Sequence, residues 1–215
     1  MSLPRKAILG ILTDNLSMRR SVLPLSRKAT TQWALGLNIL RSGETVLYTG
    51  QMYQIIPYLG TMPNCMKAME NSWITKFMNF GRLANKEINV SNFMASTSRE
   101  EKQSHNNILR SIALLLREAD VKYGYLYEDE LYSGALIYDQ GIDRVFINHA
   151  RLVQKMFRDH GVKKVITVDP HTTNMLRHVY PEVNCPAATT PLIFINLSSP
   201  IIFYLLSYFK LLMII

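Results

Sequence analysis

The feature that most constrains the fold is a short apolar run followed at once by the signals that begin a helix. Lys164–Val168 (KVITV) is rich in β-branched residues and has the length of a buried strand. Asp169 follows as a candidate N-cap and Pro170 as the first helical residue, and the helix is expected to continue to Val179. A strand that passes directly into a helix is typical of α/β proteins.

The residues before this strand repeat the order. Tyr123–Tyr127 is predicted to be a strand and is followed by an acidic turn over 128–130. A helix is predicted from about Asp143 to Asp159, with Gly161 as its C-terminal glycine. Strand, helix, strand and helix in this order predict a parallel βαβ unit.

The first half of the chain adds another strand. Glu44–Thr49 (ETVLYT) is β-branched and aromatic, and it lies between Gly43 and Gly50. Helical residues are expected over 52–86, broken at two prolines. We therefore predict an α/β fold with a small, mostly parallel sheet flanked by helices.

A second helix in this half has a clear beginning. Ser98 and Glu101 have the spacing of a capping box. The apolar residues that follow have helical spacing and predict an amphipathic helix to about Asp120.

Composition limits the class of protein. Of 215 residues, 48% are hydrophobic and 19% charged, which is typical of a globular domain rather than a disordered chain. The formal net charge of +8 is spread along the chain without interleaved aromatic residues, so we expect docking onto an acidic protein and no nucleic acid. The two cysteines, Cys65 and Cys185, form no metal-binding pair, and no signal peptide is recognised. A cytoplasmic location is expected, with any contact to a membrane made through a partner.

The two ends differ from the middle. Residues 1–42 are expected to form an irregular arm with short helices, and 43–183 the α/β module. Residues 184–215 form an apolar tail broken by Pro200 and Lys210. Three interpretations of the tail stay open: a frameshifted reading, since its residues are largely those of AT-rich codons; a membrane anchor; or a genuine core element. Membrane contact by the chain itself is expected only if the anchor is real.

The candidate site follows from the strand order. In parallel sheets, ligands bind beyond the carboxyl ends of the strands. Three loops are therefore expected to meet at one edge of the sheet: Gly50–Gln54, Glu128–Gly134 and Asp169–Thr173. We call this edge the rim.

The rim segments resemble a known family. GETVLYTGQMY, YEDELYSGALIYDQG and VITVDPHTTNMLRHVYPE are similar, in order and spacing, to the cysteine-rich (CCG) domains of heterodisulfide reductase and glycolate oxidase iron–sulfur subunits. The resemblance covers about 43–182 and implies a truncated member with one module of this type. It also implies a 4Fe-4S cluster held by cysteines, and electron transfer with an iron–sulfur or flavin protein as partner.

The cysteines themselves are replaced in this chain. Gln51 stands at the first cysteine position of the family, Tyr132 and Ser133 at the paired cysteines, and Asp169 and Thr172 at the Cys-Pro-x-Cys turn. None of these residues supplies a thiolate, which is the ligand that iron–sulfur clusters require. The implied chemistry is therefore not carried by these positions.

The alternative is that the rim holds a different ligand, bound by other side chains. Carboxylate and imidazole groups suit a hard or borderline divalent metal. The candidates are Glu128, Asp129, Glu130, Asp169 and His171. The helix beginning at Asp169 could instead hold an anion, or these side chains could simply be solvated or capping residues.

Three functions follow as expectations. The first, by resemblance, is an oxidoreductase or electron-transfer subunit of the heterodisulfide reductase type. The second is a non-catalytic binding or assembly subunit that kept the fold and lost the cluster. The third is a decayed gene fragment without function.

Overall fold

The computed structural model describes residues 5–23, 25–58, 98–183 and 193–196. The strands are β1 Thr45–Tyr48, β2 Lys164–Thr167 and β3 Ile193–Asn196. The helices are α1 Arg5–Arg19, α2 Arg27–Thr31, α3 over 52–58, α4 Arg99–Glu118, α5 Ala135–Asp139 and α6 Asp143–Asp159. A last helix, α7, consists of Pro170–Asn174, a π-helical turn Met175–Val179 and a final turn Tyr180–Glu182. Single 3₁₀ turns lie at Gln32–Ala34 and Tyr127–Asp129.

The strands form one parallel sheet with β2 in the centre. The register pairs Thr45 with Lys164 on one side of β2 and Lys164 with Ile193 on the other. Helices lie around this sheet, so the predicted α/β class with a small, mostly parallel sheet is confirmed. The predicted strands Glu44–Thr49 and Lys164–Val168 are confirmed to within one residue at each end.

Alternation along the strands divides the core into two layers. Val46 and Tyr48 belong to one hydrophobic cluster, whereas Leu47 belongs to the other. The first cluster includes the buried face of α6, and the second includes the buried face of α4. Both faces of the sheet are therefore covered, which is why its strands are continuous apolar runs.

Local signals position the two long helices. Glu101 N–H donates to Ser98 Oγ at 3.0 Å, and this bond caps α4. The helix α6 has the predicted bounds and is followed by Gly161, whose φ of +64° permits the turn into β2. Its buried residues have spacings of three, four and seven and form the face against the sheet. They are Phe146, His149, Ala150, Val153, Met156 and Phe157.

The predicted strand Tyr123–Tyr127 is wrong. Only Gly124 makes bridges, to Val46 and Leu40, and the chain then turns at Tyr127, whose φ is +50°. A Cβ atom on Gly124 would lie 2.6 Å from the carbonyl oxygen of Ser42, so this point admits only glycine. The tyrosines instead fill the core, and Tyr125 packs against Trp33 with ring centroids 4.7 Å apart.

The N-terminal arm is partly helical and contributes to both layers. Leu12 and Leu16 of α1 lie in the first cluster, and Trp33 and Leu37 lie in the second. Each of these side chains is less than a tenth exposed. The arm therefore closes both faces of the sheet.

Two predictions fall largely outside the described residues. Helical structure is confirmed over 52–58, and the rest of the predicted helical stretch is not described. Within the tail, Ile193–Asn196 forms β3, and its other residues lie outside the described ranges. None of the described helices combines the length and apolar character needed to cross a membrane.

Candidate functional site

The three predicted rim loops do meet at the carboxyl ends of β1 and β2. Ser133 N–H donates to the carbonyl oxygen of Gly50 at 3.2 Å, which joins the second loop to the first. A Cβ atom on Gly50 would lie 2.8 Å from Thr172 Oγ1 and 3.0 Å from Ser133 Cβ. Gly50 is therefore the point of contact between all three loops, and the predicted convergence is confirmed.

The first loop holds Gln51 in an unusual conformation. Its φ is +56°, a left-handed value that residues other than glycine adopt infrequently. Its backbone N–H donates to Thr49 Oγ1 at 3.1 Å, and its Nε2 donates to the carbonyl oxygen of Glu130 at 2.8 Å. These bonds hold the side chain inside the rim, where Oε1 has no hydrogen-bond partner among the described residues.

The second loop turns Glu130 inward rather than towards solvent. The side chain is 4% exposed, and Thr49 donates to it through both its backbone N–H, at 3.2 Å, and its hydroxyl group. Burial raises the pKa of Glu130 to about 8, although the hydrogen bonds from Thr49 lower it. Burial therefore favours the neutral form of the carboxyl group, which ties the second loop to the end of β1.

The same loop carries Tyr132 and Ser133. The carbonyl oxygen of Tyr132 accepts a hydrogen bond from His149 Nε2 at 2.6 Å, and that of Ser133 accepts one from the Tyr180 hydroxyl at 2.7 Å. The Tyr132 hydroxyl accepts from Leu136 N–H at 3.0 Å. The helices α6 and α7 thus fix this loop through its backbone, and the side chain of Ser133 interacts with the neighbouring Tyr132 hydroxyl.

The third loop begins α7 as predicted. Asp169 Oδ1 accepts from Thr172 N–H at 2.7 Å, which makes Asp169 the N-cap, and Pro170 is the first helical residue. Burial raises the pKa of Asp169 above its ordinary value. The Thr172 hydroxyl also interacts with this carboxyl group and, like the capping bond, lowers its pKa, which offsets part of the effect of burial.

Sequence reasoning missed three residues that support the rim. Thr49 and Gln54 are buried, and Gln54 Nε2 donates to Thr49 Oγ1 at 2.8 Å. His149 is 2% exposed, and burial lowers its pKa to about 4. His149 follows Phe146 by three residues, a helical spacing that places both on the buried face of α6. This spacing is the sequence feature from which the burial of His149 could have been predicted.

The five candidate ligands of a divalent metal make separate contacts in the described structure. Glu128 pairs with Arg41 at 2.9 Å and Asp129 lies 3.4 Å from His160, and the two carboxylate side chains are 36% and 65% exposed. His171 faces Asp139 at 3.4 Å, whereas Glu130 and Asp169 are held by the bonds described above. No group of three or more His, Cys, Asp or Glu side chains able to hold a metal ion is present over 5–23, 25–58, 98–183 and 193–196.

An iron–sulfur cluster does not fit the rim either. The positions implied by the resemblance supply an amide, a phenol, two hydroxyls and a carboxylate, and none of these is a thiolate. The backbones of Gln51, Tyr132 and Ser133 are fixed by hydrogen bonds to the Thr49 hydroxyl, to α6 and to α7. Cys65 and Cys185 lie outside the described residues.

An open cavity of about 1050 Å³ lies beside the rim. Tyr53 and Val168 form part of its wall. Tyr53 lies two residues after Gln51, and Val168 lies directly before Asp169. Most of its other lining residues belong to α4, among them Gln103, Ile108 and Ile112.

No family model matches this chain, and no similar protein is found among curated proteins or among solved structures.

Proposed function

We propose that this chain is a non-catalytic binding or assembly subunit of a redox complex of the heterodisulfide reductase type. In this proposal it keeps the α/β module and rim of the cysteine-rich domains and has lost their cluster. The observation that carries the proposal is that the replaced cysteine positions lie in one buried, hydrogen-bonded rim without a thiolate. Its partner would be an iron–sulfur or flavin protein of the same complex.

The meeting of the three loops supports the resemblance. Gly50 and Ser133, in the first and second of the segments that carry it, are more than seventy positions apart in the sequence, yet they touch. A ligand set drawn from three loops requires this arrangement.

The competing function is electron transfer through a cluster bound to this chain. That function requires soft, anionic sulfur ligands at the rim. The oxygen side chains there instead support a binding role, since Gln51 and Asp169 also hold the loops in place. The formal charge of +8 favours an acidic surface on the partner.

The test restores the thiolates. The variant carries five substitutions at the family positions: Gln51→Cys, Tyr132→Cys, Ser133→Cys, Asp169→Cys and Thr172→Cys. A matched control carries five cysteines at exposed positions. These are Met18→Cys, Leu35→Cys, Leu40→Cys, Ile56→Cys and Ile108→Cys. All three proteins are incubated with ferrous iron and sulfide without oxygen, and iron, labile sulfide and visible absorption are then measured.

We expect the unaltered protein to stay colourless and the rim variant to gain a cluster that the surface control lacks. Stoichiometric iron and sulfide in the unaltered protein would overturn the non-catalytic proposal. A rim variant with unchanged circular dichroism and no more iron than the control would overturn the resemblance on which the proposal depends.

A further inference from the structure

The solvent-facing side of α6 carries a row of arginines. Arg144, Arg151 and Arg158 follow one another at intervals of seven residues, and all three are exposed. Seven residues fall about 20° short of two helical turns, so the three Cα atoms lie within about 40° of one another around the axis and about 10.5 Å apart along it. We call this row the arginine stripe. It lies opposite the face of α6 that is buried against the sheet.

The arginine stripe is not neutralised by the residues that the structure describes. Cations elsewhere on the surface pair with carboxylates: Arg41 pairs with Glu128, and within α6 Lys155 pairs with Asp159. None of the three stripe arginines forms an ion pair with a carboxylate in the described ranges. Three guanidinium groups on one rigid helix are therefore open to carboxylates from another molecule, which they can bind through two parallel hydrogen bonds.

The surroundings of the stripe favour a narrow acidic partner. Asp143 and Asp159 are exposed, and each stands about 100° around the helix from the arginine next to it in sequence. A broad anionic surface such as a lipid bilayer would also meet these carboxylates and be repelled by them. A single row of carboxylates would meet the arginines alone.

The spacing of the stripe matches that of another helix. A helix with Glu or Asp at every seventh position presents its carboxylates with the same repeat of about 10.5 Å. Nucleic acid is a poorer match, because both phenylalanines of α6, Phe146 and Phe157, are buried and no aromatic ring of this helix is exposed for stacking with bases.

We propose that the arginine stripe is the docking face for an acidic helix of a protein partner, with carboxylates seven residues apart. The inference rests on the proposed function, because it assigns the face by which a binding subunit meets its partner. On the opposite side of α6, His149 Nε2 is bonded to the carbonyl oxygen of Tyr132 at 2.6 Å. The partner would therefore dock on the helix that holds the second rim loop.

The first test separates the position of the charges from their amount. The stripe variant of the full chain carries Arg144→Glu, Arg151→Glu and Arg158→Glu. The control replaces three exposed cations in or directly after α4, on the other side of the sheet. Its substitutions are Arg99→Glu, Arg117→Glu and Lys122→Glu. Both variants lower the formal charge of +8 by six. Circular dichroism establishes that they are folded, and glutamine at the stripe positions replaces glutamate if it prevents folding.

The probe is a labelled helical peptide with three glutamates seven residues apart. A second peptide of the same composition has its glutamates five residues apart, which spreads them around the helix. Fluorescence anisotropy is measured at about 0.1 M salt, where charges more than about 10 Å away are largely screened. We expect the stripe variant to bind the first peptide about tenfold more weakly than the unaltered protein, and the control less than about threefold more weakly.

Two results of this test would overturn the docking face. Equal weakening in both variants would show that affinity follows net charge alone. Equal affinity of the unaltered protein for both peptides would show that the seven-residue spacing is not recognised.

The second test exchanges the charges. A peptide with three lysines seven residues apart should bind the stripe variant more tightly than it binds the unaltered protein, and no such gain would contradict the docking face. Vesicles of equal parts phosphatidylcholine and phosphatidylglycerol test the other occupant. Vesicle binding that depends on the stripe, without binding of the glutamate peptide, would make the stripe a lipid-binding face and overturn the protein partner.

Iron analysis decides the proposed function separately. A cluster in the unaltered protein together with stripe-dependent peptide binding would overturn the non-catalytic role and retain the docking face. Iron-free protein without stripe-dependent binding would contradict the docking face alone.

Discussion

Gly50 is the residue at which the three rim loops touch. Its φ of +55° lies in the left-handed region, and the space where a Cβ atom would stand is filled by Thr172 and Ser133. A side chain at this position therefore meets two costs, one from the backbone conformation and one from the clash. Gly141 has a similar φ of +69°, with no atom within 4 Å of its Cβ position.

We expect Gly50→Ala to lower the free energy of unfolding by about 2–4 kcal/mol. Gly141→Ala should lower it by about 1–2 kcal/mol, because only the backbone cost applies. Urea unfolding of the two variants measures the difference. Equal losses would show that the loops can separate at Gly50 without cost.

The buried Glu130 makes the stability depend on pH. Its pKa is about 8 in the folded protein, against 4.5 for the ordinary group. Between these values the unfolded chain has lost a proton that the folded chain keeps, so stability falls as pH rises. The contribution of Glu130 to the free energy of unfolding is complete below pH 4.5 and is lost by about pH 8.

We expect Glu130→Gln to remove this dependence, since the amide resembles the neutral carboxyl group. The free energy of unfolding of the unaltered protein relative to the variant should fall by roughly 4 kcal/mol between pH 4.5 and 8. Urea unfolding at several pH values gives this difference. His149 acts oppositely between pH 6.5 and about 4 in both proteins, so it cancels in the comparison. Parallel pH profiles would mean that Glu130 is ionised in the folded state.

The acidic triplet shows where residue-level prediction from sequence ends. Glu128, Asp129 and Glu130 are alike in sequence and were interpreted together as a solvated turn or as metal ligands. The 3₁₀ turn Tyr127–Asp129 directs the first two outward and the third into the rim. Burial of Glu130 depends on Thr49, eighty-one positions away, which no local pattern contains.

Among the elements, the long helices depend on their caps. Ser98 Oγ accepts from the Glu101 N–H and satisfies one of the free amides at the start of α4. We expect Ser98→Ala to lower the free energy of unfolding by about 1 kcal/mol. Ser104→Ala, on the exposed face of the same helix, should change it by less than about 0.5 kcal/mol. Thermal unfolding compares the two, and a larger loss in Ser104→Ala would contradict the capping role.

Elements with local signals were predicted, and those set by distant contacts were not. Caps and helical spacing placed α4 and α6, and β-branched runs placed β1 and β2. The predicted strand at Tyr123–Tyr127 had the right composition. The backbone of Ser42 approaches Gly124 so closely that only glycine fits, and the sequence near Gly124 does not reveal that contact.

For the whole molecule, the arm decides whether the core is closed. Leu16 in α1 is fully buried against the same cluster as α6, whereas Met18, two residues on, is 62% exposed. We expect Leu16→Ala to shift the main unfolding transition by about 2–5 kcal/mol and Met18→Ala by less than about 0.5 kcal/mol. Denaturant unfolding monitored by tryptophan fluorescence measures both. An unchanged main transition in Leu16→Ala would make the arm a separate unit.

The pairing of β1 with β2 also has a consequence for the time course of folding. Glu44 and Lys163, which form an ion pair beside the two strands, are 119 positions apart in the chain. β1 cannot pair with β2 until this long loop has closed, and closing it costs entropy before the contacts between these two strands repay the loss. Proteins dominated by distant contacts fold more slowly than those with local ones. During synthesis, β1 must therefore wait unpaired until β2 has left the ribosome, while α4 and α6 can already form.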